Sequence, residues 1–224
     1  MVDSASARDA EGSLRADAER NRDRILAAAR RLYAQHGLAV SMAAVAREAG
    51  VGKATLARRF ASSGELIAAV FADRMHAYVD ATDVALADPD PWRGFTRYVE
   101  TICAMQAADR GFADVLTTSF PGAADLDALR QRSFAGFLEL IRAAKATGCL
   151  RADFESEDLF VALVANAGVV AATADVTDAA WRRLVGLLLR AFATEGAPLP
   201  AFPAAPSSID LEKAMARRRE ANVD

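Results

Sequence analysis

The stretch AGVGKATLARRF at positions 49–60 sets glycines, a lysine and a threonine at spacings where phosphate chemistry is conceivable. A nucleotide-binding loop requires Gly-x-x-x-x-Gly-Lys-Ser/Thr between a buried strand and a helix, with backbone N–H groups cradling phosphates and the hydroxyl holding magnesium. With Gly52 and Lys53 as the closing pair, the first glycine falls on Arg47 and the hydroxyl on Ala54. The preceding MAAVAREAG has no β-branched run and reads as helix. Other chemistry is equally sparse. There is no Gly-x-Ser-x-Gly elbow, no His-Glu-x-x-His, no Cys-x-x-Cys and no dinucleotide fingerprint. Two histidines cannot join Cys103 and Cys149, which lie in separate apolar segments, into a metal cluster, and both cysteines read as buried thiols. No enzyme activity, cofactor or metal is expected.

Charge points elsewhere. The 224 residues carry a net charge of −3, yet residues 20–60 hold nine basic and two acidic side chains, a local charge of +7. Residues 1–19 sum to −3 and residues 61–224 to −7. A basic lobe on an acidic body is the footprint of a polyanion-binding module, because neutralised phosphates supply most non-specific affinity. With 53% hydrophobic residues the chain can bury a sizeable core. No run of eighteen apolar residues suggests a membrane span, and the polar N-terminus is unlike a signal peptide. A cytoplasmic protein without a membrane partner is expected.

The elements that must position the basic residues are helices. Ile25, Ala28, Ala29, Leu32 and His36 recur at helical spacing, giving a first helix from about Asn21 to His36 that Gly37 stops. Ser41 caps a second, short helix ending near Ala49, with an incomplete capping box because Ala44 takes its fourth position. Gly50 permits a tight turn, and a third helix runs from Gly52 to about Arg59. Ser62 with Glu65 makes a full capping box for a fourth. Short helix, glycine turn, short helix is the helix-turn-helix pattern. On the third helix Leu56 and Phe60 face inward, while Ala54 and Arg58 face out with Thr55 and Ala57 beside them and Lys53 at the first turn. Small outward residues let a helix approach a major groove, and Arg58 can take guanine in a bidentate contact. The alternative is a solvated basic helix.

From Asn21 to about Val70 the phrases RILAAARRLYAQHG and VSMAAVAREAGVGKATLARRFASSGELIAAV resemble the DNA-binding domain of the tetracycline-repressor (TetR) family. ELIRAAKATGCLRADFESEDLFVALVANAG is similar to the C-terminal domain of one branch. The resemblance implies a homodimer that binds double-stranded operator DNA through two such lobes, with a C-terminal domain that senses a small molecule. It implies DNA contacts at Ser41, Lys53, Thr55 and Arg58. Family members usually carry Ser, Gly, Tyr and His where this chain has Gly52, Ala54, Ala57 and Arg59, and Lys where it has Ser63; these five positions complete the expected DNA-binding set.

An all-α chain is expected: a disordered arm over 1–19, the DNA-binding domain over 20–64, a ligand-binding and dimerisation domain over 65–196, and a loose or briefly helical tail over 197–224. DPDP at 88–91 ends the fourth helix, and Pro121-Gly122 and Gly148 separate the helices beyond it. Arg217 to Arg219 read as a solvated face. The family resemblance assigns the last two helices of the sensor domain to a four-helix interface across a two-fold axis, with Ala165, Gly168 and Ala172 permitting close contact and Trp181 and Leu188 as anchors. The apolar pocket of such a domain would involve Trp92, Phe95, Met105, Phe112, Leu116, Phe120, Phe134 and Phe137, although an aromatic stripe is more often plain core. Asn166 is either a satisfied core amide or a ligand anchor, and His76 either a pocket group or exposed. The expected function is a repressor released from its operator by a small, mainly apolar effector. The alternative is a helical carrier or interaction protein whose DNA lobe has degenerated, motivated by Ala57 and Ser63.

Overall fold

The computed structural model describes residues 3–118, 123–173 and 175–220 of the chain. Among these, ten α-helices and no strand are formed. The chain divides into two compact units, one made of residues 1–72 and 120–124, the other of residues 73–119 and 125–224.

In the first unit α1 (Asp3–His36), α2 (Met42–Glu48), α3 (Lys53–Arg59) and the start of α4 (Ser63–Leu86) enclose a small core. Ile25, Ala28, Ala29 and Tyr33 of α1 meet Val45 and Ala46 of α2, Leu56 of α3, and Leu66, Ile67 and Phe71 of α4, all nearly inaccessible. Tyr33 and Phe71 stack with centroids 6.1 Å apart, and burial pushes the Tyr33 hydroxyl up to about 12. Gly37 (φ 71°) stops α1, its N–H bonding Tyr33 O. The helix begins at Asp3, not Asn21, so the arm expected to be disordered over 1–19 is helical from its third residue. The reason is propensity: the segment is rich in Ala, Arg, Glu and Asp and lacks proline, so a helix extends through it although it has no apolar stripe.

The second unit is built around α5 (Pro91–Ala108) and α8 (Ser156–Thr173), which pack on one another and on α6 (Arg110–Thr117) and α9 (Ala179–Phe192). Asp90 caps α5 by accepting the N–H groups of Trp92 and Arg93, with Pro91 in the first turn, where its missing N–H costs nothing. Asp109 caps α6 in the same way. Phe95 sits at the centre, edge-on to Phe154 at 5.3 Å and stacked on Trp92 and Phe137. α7 (Ala124–Ala146) ends before Gly148 (φ 75°). An isolated bridge between Leu150 and Ala193 ties the connection after α7 to the end of α9. α8 is long and apolar enough to cross a membrane by length and composition alone.

The tail expected to be loose is docked. Residues 198–203 lie along α5 and α9, with Trp92 Nε1 donating to Pro198 O and Arg183 Nη1 to Pro203 O. α10 (Ser208–Glu220) then packs on α8 with Ala214 buried. A proline-rich composition reads as linker, but prolines leave carbonyls available as acceptors and fix an extended backbone that fits a groove.

Candidate nucleic-acid interface

The helix-turn-helix is fixed at each joint. Ser41 accepts the Ala44 N–H at 3.2 Å and so caps α2. At the far end Gly50 adopts φ +63°, its N–H bonding Arg47 O while Val51 N–H bonds Ala46 O, a Schellman closure. Arg24 Nη2 seals this turn by donating to Ala49 O and Gly50 O. Gly52 is the N-cap of α3. Ser62 Oγ accepts the Glu65 N–H, and the Glu65 carboxylate reaches back to the Ala61 N–H at 2.8 Å, one residue earlier than a standard capping box.

With its ends held, α3 buries Leu56 and Phe60 and turns Lys53, Ala54, Ala57, Arg58 and Arg59 to solvent, with Thr55 half-buried at the edge. Ser41 and Ser63 are exposed at the starts of α2 and α4. The nine expected DNA-facing residues therefore lie on the α2–α3 turn, on α3 or at the adjoining helix starts. All nine basic side chains between residues 20 and 60 are exposed. Arg20, Arg24, Arg30 and Arg31 are engaged within the chain, Arg31 with Glu48 at 3.0 Å and Arg30 with Val70 O. Among the described residues, Arg22, Arg47, Lys53, Arg58 and Arg59 form no side-chain hydrogen bond or ion pair. A seven-residue helix that offers two methyl-sized side chains between unpaired cations has the shape and charge of a major-groove reader.

Two family models match the chain: Bacterial regulatory proteins, tetR family, over residues 25–70, and Transcriptional regulator SbtR-like, C-terminal domain, over residues 90–193. A TetR transcriptional regulator from Streptomyces coelicolor is 31% identical, over 78% of this chain and 99% of that one, with a TM-score of 0.47. The chain belongs to the TetR family. A second TetR-family protein, from Mycobacterium vanbaalenii, is 30% identical over 81% of this chain and 99% of its own, with a TM-score of 0.42. AmtR of Mycobacterium smegmatis shares the fold at a TM-score of 0.57, with 19% identity over 89% of this chain and 94% of that one. No curated protein sequence matches. As a TetR-family member the chain is a DNA-binding transcriptional regulator and not an enzyme.

The residues expected to form a TetR-type sensor pocket separate into groups. Trp92, Phe95, Phe112 and Phe137 are buried, and three of them, all but Phe112, belong to one continuous apolar core. Met105 and Leu116 are half-buried against that core. Phe134 is 51% exposed and is no cavity wall within the chain. Phe120 lies outside the described residues. Asn166 is fully buried and donates to Cys103 O at 3.2 Å and Gln106 Oε1 at 3.0 Å. Gln106, which sequence patterning missed although it is a polar side chain on an apolar face of α5, has an unpartnered Nε2, and Asn166 Oδ1 is likewise unpartnered. His76 is exposed.

Of the expected dimer residues, Ala165 and Gly168 are exposed, and Ala172 and Leu188 are half-buried. Trp181 is buried in the chain's own core, with the Arg182 guanidinium over its ring at 4.5 Å, and is no surface anchor. The large exposed apolar side chains beside Ala165 and Gly168 are Phe160, Val161 and Val164, with Leu187 on α9. Their signal was the apolarity of α8 on all sides, which no single periodic stripe resolves.

Proposed function

We propose that this TetR-family regulator is a homodimeric repressor whose two α3 helices read a two-fold operator and which a small, mainly apolar effector releases. The observation that carries the DNA-reading part is the set of unpaired cations Lys53, Arg58 and Arg59 around the small outer face of α3, with Arg47 exposed in the last turn of α2. Phosphates attract all four, and Arg58 is placed to select bases. Homodimerisation is supported by the outer face of α8, where Phe160, Val161, Val164, Ala165 and Gly168 stand uncovered without a charge among them. A face of that kind is suited to a second helix pair.

The effector reading is supported by the sensor unit itself. Asn166 and Gln106, both fully buried, together keep one acceptor and one donor unpartnered, so a ligand with an apolar body and one polar group suits the unit. α4 supplies residues to both units, so a ligand that displaced it would alter how the DNA lobes are presented. Such a ligand must prefer the DNA-incompetent state, and by reciprocity operator weakens its binding.

The test is retention on duplex DNA as salt is raised. A reader with several phosphate contacts shows a steep fall of log affinity with log salt. A carrier with a degenerate lobe shows no retention at moderate salt. Tryptophan fluorescence of Trp92 and Trp181 then screens apolar metabolites, and saturating operator must weaken any hit.

A further inference from the structure

We propose that the cleft between α5, α9 and residues 198–203, a proline-rich strap laid along both helices, binds a free α-amino acid with an apolar side chain, its ammonium held by Glu100 and its carboxylate by Arg182. The cleft belongs to the second unit, and one of its walls lies beyond residue 193, where the match to the C-terminal family model stops. The proposal does not depend on the operator or homodimer reading.

The walls are fixed before any ligand arrives. Besides the bonds that Pro198 O and Pro203 O accept from Trp92 and Arg183, the Phe202 ring is clamped between the guanidinium groups of Arg183 at 3.6 Å and Arg190 at 3.7 Å. Gly186 makes room for the strap, since a Cβ there would lie 2.7 Å from Pro203 Cδ. Between strap and helices opens a cavity of about 350 Å³, at the small end of the range for ligand sites, which suits a compact molecule better than a lipid or a coenzyme. Arg182, on its rim, sits roughly 140° around α9 from Leu187 at 100° per residue, so the cleft lies off the uncovered apolar face of α8 and α9.

Glu100 and Arg182 both line this cavity, and among the described residues neither side chain forms a hydrogen bond or ion pair, with the other or with anything else. Glu100 is half-buried, and burial raises its carboxyl above the ordinary value against the pull of Arg97; an incoming ammonium would offset that burial. Arg97 itself is drawn to Asp88, 4.0 Å away. The Arg182 guanidinium lies over the Trp181 ring at 4.5 Å, a platform that leaves its N–H groups uncommitted and suited to a carboxylate. Trp181 keeps its own buried indole N–H without a partner, a second donor on the same side. Ala104, Val185 and Pro203 supply apolar wall. One charge of each sign, unpaired across a small cavity with apolar walls, matches a zwitterion with an apolar side chain, whereas a simple amine or a simple carboxylate would leave one of the two unmet.

Isothermal titration calorimetry of the full chain with L-leucine and L-phenylalanine tests this. One molecule should bind per chain. N-acetyl-L-leucine, which lacks the ammonium, and L-leucinamide, which lacks the carboxylate, should each bind at least about tenfold more weakly, because each forfeits one charge-assisted pair. Glu100→Gln should weaken L-leucine by a similar factor and abolish the preference over N-acetyl-L-leucine, and Arg182→Gln should abolish the preference over L-leucinamide, both with an unchanged thermal midpoint. Absence of binding by either amino acid at millimolar concentration overturns the proposal. Binding that both variants leave at parent strength also overturns it, since the amino acid then sits elsewhere, as does L-leucinamide bound as tightly as L-leucine, which would make the ligand a simple amine.

Discussion

Arg24 Nη2 donates to Ala49 O at 2.8 Å, so a side chain of α1 closes the carbonyl end of α2 at the turn that launches α3. Arg24 is one of the basic residues that give the lobe its charge, and here it acts on the protein's own backbone. Arg24→Ala should lower the stability of the DNA lobe by about 1 kcal/mol through loss of this charge-assisted bond and its companion to Gly50 O. Thermal unfolding measures it. Gly50→Ala should cost a similar amount, about 1 kcal/mol, because φ +63° disfavours any side chain, while the clash with Arg24 Nη2 at 2.8 Å is relieved by moving a flexible guanidinium.

Arg58 and Lys53 differ in place on α3, and their variants should differ in kind. Arg58→Ala is expected to relax base preference at one position in each half-site, a loss of about 1–3 kcal/mol against the preferred base only. Lys53→Ala should lower affinity across sequences and flatten the salt dependence. Anisotropy titrations against a panel of duplexes separate the two; equal losses on every sequence for Arg58→Ala would remove its base-reading role.

The Asn166–Gln106 pair makes a prediction about stability that also bears on the sensor. Asn166→Leu strips Gln106 of its only side-chain partner among the described residues and should cost about 1–3 kcal/mol, whereas Asn166→Leu/Gln106→Leu should recover part of that loss. Denaturant midpoints of the single and double variants decide it. A double variant as unstable as the sum of the single ones would show that the two amides act independently.

The cysteines offer a simple check of the core. Burial pushes the Cys103 thiol up to about 12 and leaves it no solvent-accessible surface, whereas Cys149 is half-buried. A thiol reagent at neutral pH should titrate one cysteine in the native protein and both after unfolding. Rapid native reaction of Cys103 would mean that α5 and α8 separate readily.

The DNA lobe was legible because its signals are local: Ser41, Gly50, Gly52 and the Ser62–Glu65 pair each act within a few residues, and the structure uses each of them. The strap was not legible because its partners lie far away, Pro198 reaching Trp92 and Phe202 reaching Arg183 and Arg190, and no window of sequence contains both sides of those contacts. Phase explains the aromatic residues. Phe134 and Phe137 look equivalent in composition, but the packing of α7 buries one and exposes the other. Trp181 reads as an anchor for any surface it could reach, and the α5–α9 packing draws it inward.

Operator reading by a two-fold dimer is decided by selecting bound duplexes from a random pool with the purified full-length protein. Two α3 helices on such a dimer should enrich an inverted repeat whose half-sites are centred one duplex turn apart, roughly 34–36 Å, or a multiple of it. Arg58→Ala should blur one position in each half. Recovery of no enriched sequence, or of a single half-site without symmetry, would contradict a dimeric operator reader.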